Sequence, residues 1–327
     1  MHIKKIIRQN YQHKYNNIKM GDYMKKIVYI TLILILLPTI TIIILNNKNY
    51  QKKIYILEQN EIIRVKRVEK QTIETMQLEK YLIGVLSGEM PVSYEIEALK
   101  AQAVAARTYA LNKINQNKNN EYDIVDTTDD QVYIDEEKLK ENWKTNYEEN
   151  IKKIKQAIKE TSGEYLTYNN KIINAFFFST SSGKTENCRD VFGSDLPYLV
   201  SVSSTWDEKS PSYKDTKIYT KEEFCKQLEI PYEENLKIEI ERNETNSIKQ
   251  IKINEKIYKG TEFRFKLKLK STNIEIEQTN NEIKITSKGY GHGVGMSQYG
   301  AKELALQGYT YDQILKYYYK GTELKKI

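Results

Sequence analysis

Cysteine and histidine are both scarce in this chain. Two cysteines, Cys188 and Cys225, among 327 residues cannot build a disulfide scaffold, and their separation matches no zinc-ligand spacing. They either meet as one disulfide or remain free buried thiols, a choice that sequence separation does not decide. Of three histidines, His2 and His13 lie near the N-terminus and only His292 lies in the body of the chain. A Ser-His-Asp or Cys-His nucleophile would have to run through His292, and the elbow pattern G-x-S-x-G does not occur. The dinucleotide fingerprint G-x-G-x-x-G is missing as well, because Gly289, Gly291, Gly293 and Gly295 simply alternate. No metal and no cofactor is expected.

An excess of one charge sign is also missing from most of the chain. The formal charge of +7 comes almost wholly from residues 1–26, where Lys4, Lys5, Arg8, Lys14, Lys19, Lys25 and Lys26 face Asp22 alone. The remainder is close to neutral, which argues against nucleic acid as a partner. Long apolar runs are rare too, and the single strong one, 27–45, is uncharged over about the length that spans a hydrocarbon core. With Lys25 and Lys26 before it, this run predicts a transmembrane anchor, a cytoplasmic tail at 1–26 and an external domain at 46–327. A cleaved signal peptide competes, but NNKNYQKK follows without a small-residue cleavage site. Met20 and Met24 are alternative starts.

What is present is concentrated in 79–111. Leu78, Leu82, Val85 and Leu86 recur at helical spacing, Gly88 stands where a left-handed C-cap would fall, and Pro91 stops the helix. Ser93 can cap a second helix with Glu95 and Glu97 in its first turn. Glu89 is therefore expected in an elbow between helices, where the negative helix end and the apolar Leu86 and Met90 favour its protonated, proton-donating form. The plainer alternative is that it decorates a loop. The second helix is apolar or small nearly all round and should be buried. Lys100 and Arg107, on one stripe of it, then need partners, either structural carboxylates or a polar substrate.

Further along, 54–57 and 62–68 read as strands, and 123–133 as a strand followed by an Asp/Thr turn where Asp126 caps or catalyses. Ile151, Ile154, Ala157 and Ile158 mark an amphipathic helix, while Asn169 with Asn170 and Asn280 with Asn281 turn two hairpins. TKEE at 220–223 is a capping box, KIEIER and IKQIKI are strands, and GTEFRFKLKLKS is a helix or a strand. Helices are expected from about Ser297 and Thr310. Small residues at 179–183, Ser181 among them, let backbone approach a ligand, and Tyr198 and Trp206 offer faces for a sugar ring. The sum is an α+β fold: one mixed catalytic domain behind a single N-terminal transmembrane helix.

Four stretches together resemble the stage II sporulation protein D type of cell-wall enzyme, also seen as the catalytic domain of LytB-like proteins. They are Y-x-x-G-V-x-x-x-E-M-P with E-A-L-K-A-Q-A-V-A-A-R-T-Y-A in 79–111, D-x-T-x-x-Q-V-Y in 123–133, the S-T-S-x-G segment of 178–207, and G-Y-G-H-G-V-G-M-S-Q-Y-G from Gly289. The resemblance implies a peptidoglycan lytic transglycosylase that cuts peptide-free glycan between N-acetylmuramic acid and N-acetylglucosamine and leaves 1,6-anhydro ends. Glu89 would be its catalytic acid/base, and Lys100, Arg107, Ser181, Tyr198, His292, Gln298 and Tyr299 would bind substrate. His292 is otherwise a satisfied core residue. Some members carry a zinc-holding His before S-T-S-x-G; here Phe178 stands there, and the site is not carried over.

A glycosidase normally needs two carboxylates. A lytic transglycosylase needs one, because the muramic acid 6-hydroxyl is the nucleophile and its intramolecular geometry replaces a protein group. Asp126 and Asp207 are the candidates if a second carboxylate does assist. The resemblance further implies septal wall thinning and engulfment during sporulation, from the engulfing mother-cell membrane, beside the stage II sporulation amidase (protein P) and membrane protein M. The rival is a non-catalytic peptidoglycan-binding protein or amidase activator using the same cleft, with a structural scaffold third.

Overall fold

The computed structural model describes residues 61–327 together with Leu36 and Pro38. The basic tail, the expected anchor apart from those two residues, and the expected strand at 54–57 lie outside the described residues. Among the described residues no helix is long and apolar enough to cross a membrane.

Strand β1 (Ile62–Arg67) buries Ile63 and Val65 on one face and pairs antiparallel with β2 (Thr72–Gln77). The chain then enters α1 (Leu78–Glu89) and, after a short loop, α2 (Ile96–Gln116). Every residue of 101–111 on α2 is buried, as its small and apolar side chains require. Ser93 does not cap it; the N-cap is Glu95, without a side-chain hydrogen bond. Strand β3 (Ile124–Val125) runs parallel to β1, and α3 (Glu136–Trp143) and α4 (Tyr147–Glu160) follow. The four apolar residues that marked α4 are the four it buries.

Strands β4 (Glu164–Tyr168) and β5 (Lys171–Ile172) form a hairpin with Asn169 and Asn170 at φ 50° and 59°, the conformation that favours asparagine in a tight turn. Beyond β6 (Phe177–Phe178) and α5 (Cys188–Phe192) the chain builds a second hydrophobic core over 219–285. That core comprises β7 (Lys214–Thr220), α6 (Lys221–Leu228), β8 (Ile238–Arg242), β9 (Ile248–Ile253), β10 (Lys256–Lys259), α7 (Gly260–Lys266), β11 (Asn273–Gln278) and β12 (Glu282–Lys288), in two sheets ordered β11-β12-β7 and β10-β9-β8. Thr220 and Glu223 complete both halves of the capping box on α6. The undecided GTEFRFK stretch is the helix α7. The chain returns to the first core through β13 (Met296–Ser297), α8 (Gln298–Leu306), α9 (Tyr311–Tyr318) and β14 (Glu323–Lys326), the last pairing with β4.

The first core closes around α2, which packs against α1, α4, α8, α9 and β4. Arg107 is fully buried on α2 and reaches across two of these contacts. Its Nε and Nη2 donate to the two carboxylate oxygens of Glu79 at 2.6 and 2.8 Å, and Nη1 donates to the Glu164 carbonyl at 3.1 Å. The fork ties α1 and β4 to the central helix, and its fully buried guanidinium is engaged by these internal partners. Cys188 belongs to the first core and Cys225 to the second; both are free buried thiols, not a disulfide. Truncating Arg107 leaves Glu79 without its partner and opens a void, and Arg107→Ala should lose about 3 kcal/mol of stability in chemical denaturation. Arg107→Lys, lacking the planar fork, should recover only part of it.

Candidate active site

Glu89 is the last residue of α1, not the elbow residue the pattern suggested. The helix runs through Gly88, and the cap is Met90 in extended conformation. Gly88 is present for close approach, since a Cβ there would lie 2.8 Å from the Val132 carbonyl oxygen. The 123–133 segment thus packs against the end of α1, and the Val132 N–H donates to Glu89 Oε1 at 2.6 Å. From the other side Gln298 Nε2 donates to Glu89 Oε2 at 3.4 Å.

Gln298, 209 positions downstream of Glu89, is held there by the elements around it. Strand β13 pairs in parallel with β6, and Gly295 just before it takes φ +83°, where a Cβ would sit 2.0 Å from the Phe176 carbonyl oxygen. Ser297 caps α8 by accepting from the Gly300 N–H at 3.1 Å and donates its own hydroxyl to Asp207 Oδ1 at 2.6 Å. Asp207 is buried, and its Oδ2 also accepts from Ser181 Oγ at 3.0 Å and from Ser204 Oγ. Burial pushes the Asp207 carboxyl up to about 6 although these hydroxyls pull it down.

Burial likewise dominates at Glu89. Desolvation pushes its pKa from 4.5 up to about 7, against the opposing pull of the Val132 N–H and the Gln298 amide. The carboxyl can therefore hold and release a proton near neutrality.

Beside Gln298, α8 carries Tyr299 and Lys302. The Tyr299 ring meets Tyr94, five residues after Glu89, edge to face at 6.4 Å, and its hydroxyl donates to the Lys209 carbonyl at 3.1 Å. The Lys302 ammonium stands 4.6 Å from the Tyr299 ring centre and 6.0 Å from that of Tyr94. Neither Tyr94 nor Lys302 was marked by the sequence, although Lys302 follows Gln298 by four residues on a helix and so shares its face.

The family model described as SpoIID, stage II sporulation protein, matches residues 66–168. Over 270 residues the chain is 44% identical to stage II sporulation protein D of Bacillus subtilis (strain 168), covering 81% of this chain and 79% of that protein. The chain belongs to the stage II sporulation protein D family. It is also 41% identical over 270 residues to stage II sporulation protein D of Bacillus amyloliquefaciens, covering 81% of this chain and 78% of that one. A more distant relative is the amidase enhancer of Bacillus subtilis (strain 168), 29% identical over 299 residues that make up 74% of this chain and 40% of that protein.

Several residues expected to bind substrate have partners within the domain. Lys100 is paired with Glu97 at 2.8 Å and Glu160 at 3.3 Å. Ser181 is buried on Asp207, and the buried Tyr198 accepts from the Asn174 N–H at 3.2 Å with its ring against Tyr168. His292 is enclosed by Phe176, Phe178 and Phe192, with ring centres 6.0, 5.6 and 5.3 Å away, and its Nδ1 accepts from the Val294 N–H at 3.1 Å. Desolvation among these rings pushes its pKa down to about 4, so it is neutral at pH 7. Asp126 receives Arg67 Nε at 2.8 Å and the Val68 N–H at 2.9 Å. Among the described residues no three His, Cys, Asp or Glu side chains converge as metal ligands.

The raised pKa of Glu89 has a consequence for stability. Below 4.5 the carboxyl is protonated in folded and unfolded chains alike. Between that value and about 7 the unfolded chain ionises first, so stability falls as pH rises through this window. Glu89→Gln removes the titration, and its melting temperature should exceed the wild type's at pH 8 while matching it near pH 4.5. A Glu89→Gln protein that melts below the wild type at pH 8 contradicts this reading of the site.

Proposed function

We propose that this domain is a peptidoglycan lytic transglycosylase acting on peptide-free glycan, with Glu89 as the only catalytic acid/base. The observation that carries the reading is the Glu89 carboxyl, half-buried at a helix end and raised to about 7 by desolvation. Both candidates for a second carboxylate are otherwise engaged, Asp126 by Arg67 and Asp207 by serine hydroxyls with no exposure to solvent. Hydrolysis by paired carboxylates finds less support here than a reaction whose nucleophile is part of the substrate.

In that reaction the protonated Glu89 gives its proton to the glycosidic oxygen as the bond from C1 of N-acetylmuramic acid to that oxygen breaks. The resulting carboxylate takes the proton of the same sugar's 6-hydroxyl, and O6 closes on C1 to form the 1,6-anhydro ring. No water is consumed, and Glu89 ends protonated as it began. The Val132 N–H and the Gln298 amide suit the intermediate stage, because both donate to the carboxylate form. On this reading the segment 27–45 anchors the domain on the outer face of the engulfing mother-cell membrane. An amidase such as protein P supplies the peptide-free strands, with membrane protein M in the same assembly.

The likeness to a protein named amidase enhancer supports a second reading, in which the cleft holds glycan and stimulates an amidase without cleaving. Mass spectrometry of glycan incubated with the soluble domain separates the two. The first reading predicts anhydro-ended products from the wild type and a loss on the order of 10²- to 10⁴-fold in Glu89→Gln, with glycan binding retained. Reducing ends would indicate a hydrolase, and no products would favour the binding module.

A further inference from the structure

The face of α8 that carries Gln298 against Glu89 carries a cation one turn further on. Gln298 and Lys302 are four residues apart in α8, a rise of about 6 Å along the helix axis. The Lys302 ammonium lies over the rings of Tyr94 and Tyr299, and the side chain as a whole is 24% exposed. Its partner is Glu303 Oε1 at 2.9 Å, yet Glu303 also receives Lys209 at 3.2 Å on its other oxygen. Although burial works the other way, the two lysines hold the Glu303 carboxyl below its ordinary value, so it is ionised near neutrality. Two ammonium groups thus share one carboxylate, and the cluster keeps one positive charge. Asp207, the remaining acid near Tyr94, is enclosed by hydroxyls and out of reach of solvent.

We propose that Lys302, supported on Tyr94 and Tyr299, binds the lactyl carboxylate of N-acetylmuramic acid and is the residue through which the site prefers the peptide-free strands of the proposed function. The inference rests on the transglycosylase reading for the substrate class, and adds the group that recognises it. N-acetylmuramic acid differs from its neighbour in the strand by a lactyl group on C3, two ring carbons from the C1 that would face Glu89. In a peptide-free strand that group ends in a carboxylate. Where a stem peptide is attached, it is a neutral amide with a chain behind it. A fixed cation one helical turn from Gln298, the residue that touches the acid, favours the first form by charge over the neutral amide of the second.

The test uses peptide-free glycan strands and the same strands with their lactyl carboxylates converted to methylamides. Binding is measured by calorimetry in a Glu89→Gln background, where nothing is consumed. The free-acid strands should bind about tenfold more tightly than the amidated ones. Adding Lys302→Gln should bring that ratio close to one, and Lys302→Arg should keep most of it, with thermal melts confirming that all three proteins fold. Equal affinity for the two strands, or a preference untouched by Lys302→Gln, overturns the proposal. Wild-type cleavage of the free-acid strands is scored separately. Cleavage without a Lys302-dependent preference sinks this inference alone, whereas a Lys302-dependent preference without cleavage sinks the transglycosylase reading and leaves the recognition site standing.

Discussion

A carboxyl group sheltered from water at the end of a helix, and still touched by two hydrogen-bond donors, is the constraint on which the rest of this structure turns. Water would return Glu89 to the ordinary carboxylate range, and unopposed donors would take it lower; only burial that outweighs both leaves it near 7. Each boundary of the site comes from a different part of the chain. The helix end comes from α1, the first donor from the 123–133 segment pressed against Gly88, and the second from α8.

Holding those three parts together falls to the buried α2 and to two polar anchors. Arg107 locks α1 and β4 onto α2, and Asp207 gathers Ser181, Ser204 and Ser297 so that the start of α8 is fixed where Gln298 must point. A third anchor, Glu186, is buried between the two cores. Its carboxylate accepts from Asn243, Thr245 and Ser247 of the second core's loop, while its backbone N–H donates to Gly293 in the glycine-rich turn before β13. The second core is thus coupled to the segment that delivers Gln298, although it contributes nothing that touches Glu89.

Local structure was legible wherever short-range chemistry dictates it. The Asn169–Asn170 turn, the capping box at Thr220, the four apolar residues of α4 and the all-round burial of α2 follow from rules that act over a few residues. Strand β2 was not legible, because TIETMQ has only Ile73 and Met76 as apolar residues and is a strand through its pairing with β1. Gly88 was misread for a related reason: a glycine needed for close approach looks in sequence like one needed for a left-handed cap. Most of the polar residues expected to bind substrate turn out to have internal partners. Arg107, Lys100, Ser181, Tyr198 and His292 stand in distinctive stretches, but burial satisfied by internal partners and exposure to a substrate leave the same mark on a single sequence. Glu79 and Asp207, the partners that settle Arg107 and Ser181, are 28 and 26 positions away.

The account stands on one physical quantity, the protonation of Glu89 in the folded domain. Carbon-13 NMR of the soluble domain with labelled glutamate, assigned through Glu89→Gln and titrated with pH, reads that carboxyl directly. A midpoint near 7 is the predicted result. A midpoint in the ordinary range near 4.5 would mean that water or the two donors outweigh burial, and Glu89 would then lack the proton that the proposed chemistry requires.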